Sequence, residues 1–161
     1  MTMYNCQLSV AKRGVSGIKK DVLISIKGVY NSEEDRDVIE LFTTGQYFKR
    51  KGCYYISYEE TEATGFEGST TTLKVEDEKM VTLERSGAVS SQLIVERGVR
   101  HQCHYDVGYG DLLVGVLGSQ IKSSLTDAGG NLAIKYSLDF NTMYASENEM
   151  YINIKERSPK Q

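Results

Sequence analysis

Proline is nearly missing from this chain: of 161 residues only Pro159 carries the ring that interrupts a sheet ladder. That scarcity excludes a Pro-rich spacer and leaves the first 158 residues free to form uninterrupted strands. Cysteine is sparse and badly arranged for cross-linking. Cys6, Cys53 and Cys103 form an odd, widely spaced set with no Cys-x-x-Cys pair, which argues against a disulfide framework and a zinc knuckle and reads as reduced thiols. No apolar run approaches the roughly 20 residues that cross a bilayer, and Asn5, Gln7, Lys12 and Arg13 interrupt any secretion-signal core, so a cytoplasmic protein without membrane association is expected. A basic surplus is lacking too: 19 Lys and Arg stand against 22 Asp and Glu, without the electrostatic footprint of a nucleic-acid binder. The run Lys49 to Lys51 reads as a solvated turn.

What the chain has in abundance is alternation. Val22, Ile24 and Ile26 interleave with Leu23, Ser25 and Lys27, the period of two that sends successive side chains to opposite faces of a strand. Similar segments recur at Asp37 to Phe48, Cys53 to Glu60, Ser69 to Glu76, Met80 to Ser86 and Ser90 to Val95. They continue at Arg100 to Asp106, Leu112 to Leu117, Gln120 to Leu125, Asn131 to Phe140 and around Met150 to Ile154. Turn residues separate them, among them Lys51-Gly52, Asp77 to Lys79, Gly98 and Asp127 to Gly130. Thr43, Thr44 and Gly45 interrupt the second segment, where a bulge or sharp bend is expected. No helix of ordinary length competes for these residues.

Three regions follow: an N-terminal arm over 1–20, a β-domain over 21–156 and a short tail over 157–161. About ten strands joined by short connections suit antiparallel neighbours, which favours an all-β, up-and-down barrel of about 8–10 strands. Closure removes the edges that so large a sheet would otherwise expose. A barrel of that size encloses either packed side chains or one small ligand.

Tyr58-x-Glu60, Gly68-x-Thr70-Thr71-x-Leu73-Lys74, Leu83-x-Arg85-Ser86-Gly87, Tyr105 and Tyr109-Gly110 together resemble an uncharacterised bacterial family, domain of unknown function 1934. The resemblance runs from about Lys20 to Glu156 and implies a calycin-type, lipocalin-like β-barrel. Val107-Gly108 stands where the family tends to have Thr-Pro, and Leu117-Gly118 where it tends to have a threonine. A lipocalin proper would show Gly-x-Trp near its first strand, and this chain contains no tryptophan. Membership implies an architecture and no activity.

Within the barrel the sharpest candidate is Arg85, which alternation places on the face shared by Val81 and Leu83. Glu60, on the face of Ile56 and Tyr58, is the carboxylate within reach of that argument, since a buried unpaired charge costs several kcal/mol. Two readings stand: Arg85 with Tyr58 and Tyr105 presents donors to an anionic or carbonyl-bearing ligand, or Arg85 and Glu60 form a structural ion pair. Tyr54, Tyr58, Tyr105 and Tyr136 are candidates to line an apolar interior able to hydrogen-bond, or simply to pack as good strand formers. The candidate ligand-binding set is thus Arg85, Glu60, Tyr58, Tyr105 and Tyr136.

His101, Cys103 and His104 suggest a metal site by chemistry but not by geometry, because His104 points opposite to the other two on a strand. No metal or other cofactor is therefore expected. Ser-x-x-Lys occurs three times without its companion elements, and no glycine-rich phosphate loop is present. With no nucleophile, base and orienting group to assemble, no catalytic residue is named, and an enzyme is disfavoured. The expected function is non-catalytic binding of a small amphipathic or anionic ligand inside the barrel. Its alternative is a structural or partner-binding module, a possible homodimer, with a side-chain-filled barrel.

Overall fold

Alternation does organise the chain. The computed structural model describes residues 18–106, 111–141 and 143–157; the arm over 1–17, Tyr109-Gly110 and the tail beyond Arg157 lie outside them. Ten strands follow one another: β1 (Lys20–Asn31), β2 (Arg36–Arg50), β3 (Cys53–Glu59), β4 (Ser69–Glu76) and β5 (Met80–Gly87), then β6 (Ser91–Glu96), β7 (Arg100–Asp106), β8 (Asp111–Ser123), β9 (Gly129–Phe140) and β10 (Met143–Glu156). Every strand pairs antiparallel with its sequence neighbours, and β10 returns to pair with β1, closing an up-and-down barrel. A single 3₁₀ turn at Glu62–Thr64 is the only helical element among the described residues, and no helix there is long and apolar enough to cross a membrane.

The turns follow from local chemistry. Lys51 and Gly52 both take positive φ, 44° and 85°, the two-residue geometry whose twist matches that of the strands it joins. Inside the barrel, Val22, Ile24, Ile56, Leu73, Val81, Ile121, Leu132, Ile134 and Ile154 are essentially inaccessible and fill one half with interlocked side chains. Tyr47 closes that end, its hydroxyl donating to the Thr126 carbonyl at 2.6 Å.

Three expectations need correction. Leu112 to Leu117 and Gln120 to Leu125 are one strand rather than two, because Gly118 marks a register shift against β9 instead of a turn. β2 is neither bulged nor broken at Thr43 to Gly45, where its register with β1 is continuous. The glycine serves a close approach: an added Cβ would lie 2.3 Å from the Ser57 carbonyl oxygen of β3. The thiols also differ among themselves, for Cys103 is free and buried whereas Cys53 is disulfide-bonded. Cysteine spacing along the chain does not by itself establish the bonding state of a thiol.

Candidate functional site

Five consecutive strands each bring one polar side chain to the same height on the inner wall. Register sets Tyr58 of β3 opposite Thr71 of β4, Thr71 opposite Arg85 of β5, Arg85 opposite Ser91 of β6, and Ser91 opposite Tyr105 of β7. Two residues deeper the first four of these strands present Ile56, Leu73, Leu83 and Leu93 in a matching apolar row. The period of two therefore builds a polar belt directly on a hydrophobic floor.

Thr71 ties the belt together. Its hydroxyl accepts from Arg85 Nε at 3.1 Å and donates in a short contact to Glu60 Oε2, so the single hydroxyl proton is used once and one lone pair once. Arg85 Nη2 stands 3.5 Å from the same carboxylate oxygen, and Thr64 donates to Glu60 Oε1 at 2.7 Å. The Glu60 side chain is almost wholly buried, and these donors stabilise a charge that would otherwise be expensive there. The Arg85 guanidinium carbon lies 3.9 Å from the centroid of Phe66, a cation–π contact that holds the Thr61 to Gly68 loop against the belt. Glu60 N–H to Ser69 O at 2.9 Å and Ala88 N–H to Gly68 O at 3.1 Å pin the same loop by its backbone.

A cavity of about 110 Å³ opens beside this cluster, with Thr71, Arg85, Ser91, Tyr105, Tyr136 and Met150 in its lining. Burial, then the neighbouring Tyr105, push the Tyr136 phenol up to about 12, with Arg85 pulling the other way, so Tyr136 is a proton donor near neutrality. Tyr58 is likewise held well above the usual tyrosine range, first by burial and then by the Glu60 carboxylate, against the pull of Arg85. On the far side of Thr71, where β2 parts from β3, a polar cleft of about 650 Å³ is lined by Thr43, Gly45, Tyr58, Glu60 and Thr70 among others.

The residues named from sequence thus divide. Arg85, Tyr105 and Tyr136 meet on the cavity, while Glu60 and Tyr58 face the cleft, with Glu60 joined to Arg85 directly and through Thr71. Tyr54 belongs to the opposite end, its ring stacked 5.3 Å from Tyr47 and its hydroxyl donating to Asp127 Oδ1 at 2.9 Å. His101 Nε2 lies 2.8 Å from Glu96 Oε1, Cys103 is buried and His104 is exposed. Among the described residues no group of three or more His, Cys, Asp or Glu is placed to hold a metal ion. Thr71, which enters the sequence reading only within the family resemblance, and Phe66 are not among its candidate site residues. Thr71 was recoverable by counting hairpin register from Asp77 to Lys79, which sets it opposite Arg85; Phe66, in a loop, carried no periodic signal.

A closed ten-stranded meander with a filled half and a polar belt at the other defines an all-β, up-and-down β-barrel protein. The model of the DUF1934 family, a domain of unknown function, matches residues 24–152, and the chain belongs to that family. It is 27% identical over 117 residues to the uncharacterized beta-barrel protein YwiB of Bacillus subtilis (strain 168), which covers 73% of this chain and 80% of the relative. The crystal structure of the ywiB protein from Bacillus subtilis matches with a TM-score of 0.77 at 24% identity, over 87% of this chain and 94% of that one, and shows the same fold.

Proposed function

We propose that the barrel binds one small amphipathic ligand, non-catalytically, with its polar head in the cavity beside Arg85. The observation that carries this reading is the belt itself: Thr71, Arg85, Ser91 and Tyr105 stand at one level on consecutive strands and line, with Tyr136, a cavity whose apolar wall is Leu83, Leu93 and Met150. The cavity is smaller than the ~150 Å³ that admits benzene, so the occupant is a head group rather than a whole drug-sized molecule. Glu60 offsets the charge of Arg85, which favours a neutral hydrogen-bond acceptor such as a carbonyl over a full anion. Tyr136, Tyr105 and the guanidinium nitrogen not engaged by Thr71 or Glu60 are the donors for it.

Native mass spectrometry and thermal shift with short fatty acids, their amides, haem and nucleotides test the reading. A neutral carbonyl-bearing amphiphile is expected to bind, and Tyr136→Phe to weaken it roughly tenfold, the loss of one buried hydrogen bond. Silence toward every compound, or unchanged binding by Tyr136→Phe and Arg85→Lys alike, overturns it. The second reading, a surface-recognition module, is supported by the side-chain-filled half of the barrel.

A further inference from the structure

β2 pairs with β3 only over Gln46 to Arg50; from Arg36 to Gly45 it pairs with β1 alone. β3 ends at Glu59 and the chain turns into the Thr61 to Gly68 loop, so among the described residues ten positions of β2 present an unpaired edge in an otherwise closed sheet. Such an edge is a template for another strand. Apolar side chains accompany it: Val38, Ile39 and Phe42 are 44%, 56% and 76% exposed, and Leu23 and Tyr30 of β1 are exposed beside them.

Two turns fix which backbone groups face outward. The two-residue Lys51-Gly52 turn makes Arg50 and Cys53 a hydrogen-bonded pair, so alternation directs the N–H and C=O of even-numbered β2 residues toward the β3 side. At the other end, Ser32 N–H donates to Asp35 O at 2.9 Å, which by the same alternation assigns the odd-numbered residues to β1. Arg36, Val38, Glu40, Phe42 and Thr44 therefore offer their backbone groups to the open edge.

We propose that this edge pairs with the same edge of a second copy of the chain, antiparallel about a two-fold axis at Val38, forming a homodimer with a continuous sheet across it. Charge complementarity selects a copy rather than an unrelated strand. In that register Arg36 stands opposite Glu40 of the other copy, and the symmetry repeats the pair on the far side of Val38. Charged residues on an edge ordinarily block pairing; here opposite signs four residues apart admit one register and leave an unrelated apolar strand with two unmatched charges. A strand pair alone falls short of the roughly 800 Å² that each partner buries in a standard interface, and the exposed apolar side chains of the β1–β2 hairpin supply additional area. The dimer is therefore reversible on dilution. It is independent of the ligand reading, since none of Arg36 to Phe42 lines the Arg85 cavity.

Sedimentation velocity of the full chain over a wide dilution series reads the association, and amide hydrogen exchange locates it. A monomer–dimer equilibrium is expected, with Val38 and Glu40 amides protected only at high concentration. Arg36→Glu and Glu40→Arg, at exposed positions that leave the fold intact by circular dichroism, each weaken the dimer roughly tenfold, and the double reversal restores it. A monomer at every concentration, or a dimer indifferent to the single reversals, overturns the proposal. A monomer whose edge amides become protected only on adding an extended apolar peptide assigns the edge to a different partner, and overturns it as well.

Discussion

Thr71 does more for this barrel than its size suggests. Its hydroxyl stands between the Arg85 guanidinium and the buried Glu60 carboxylate, bonded to both. Thr71→Val keeps the shape and removes the hydroxyl, leaving one donor of Arg85 and one acceptor of Glu60 without it. A loss of about 1–3 kcal/mol is expected by urea denaturation, and a change within error would show that Arg85 and Glu60 close the gap by themselves. Tyr136 gives a second residue-scale test, through pH. Its pKa is raised from 10.0 to about 12, so its folded-state contribution is whole below about pH 10 and is lost as pH rises through about 12. Over that window the native barrel should lose stability faster than Tyr136→Phe; parallel pH profiles would contradict the burial argument.

At the scale of strands, much of the structure was legible. Alternation places Arg85, Tyr105 and Tyr136 inward because a residue's face follows from parity alone once the strand is recognised, and the structure brings those three to one cavity. Parity has no memory of how strands sit sideways. It does not reveal that β3 leaves β2 beyond Gln46, and so it offers a bulge at Gly45 when the requirement is lateral. For the same reason Thr71 is anonymous among the Ser69 to Thr72 run until register sets it opposite Arg85. Two glycines make the lateral requirement measurable. At Gly45 an added Cβ meets the Ser57 backbone at 2.3 Å and Ile24 Cδ1 at 2.6 Å; at Gly115 it meets the Arg100 side chain at 2.1 Å. Backbone cannot step aside but an exposed arginine can, at the expense of its 2.7 Å contact with Asp139. Gly45→Ala is thus expected to destabilise by about 1–3 kcal/mol, an overpacking cost, and Gly115→Ala by clearly less, because only an exposed surface pair is disturbed. Equal melting shifts for the two would refute the distinction.

At the scale of the whole molecule, closure makes every strand depend on both neighbours. β1 pairs with β2 along its length and with β10 from Val22 to Asn31, and the second pairing joins segments more than a hundred residues apart. A chain ending at Phe140 would lose β10 and bare the facing edges of β1 and β9 together, and such long unprotected edges are expected to aggregate rather than fold. The seam between first and last strands has a more constructive implication. Lys20 Nζ sits 2.8 Å from Glu156 Oε2 and Arg157 N–H donates to Asp21 O at 3.2 Å, so the two ends of the barrel segment lie side by side. Joining the two chain termini by a short flexible linker, with arm and tail retained, and opening the exposed turn between Asp77 and Glu78 would give a circular permutant with every strand pair retained, expected to fold with native-like circular dichroism. The barrel is in that sense a ring of strands: the order in which they are synthesised is an accident of where the ring was cut, while their adjacency defines the protein.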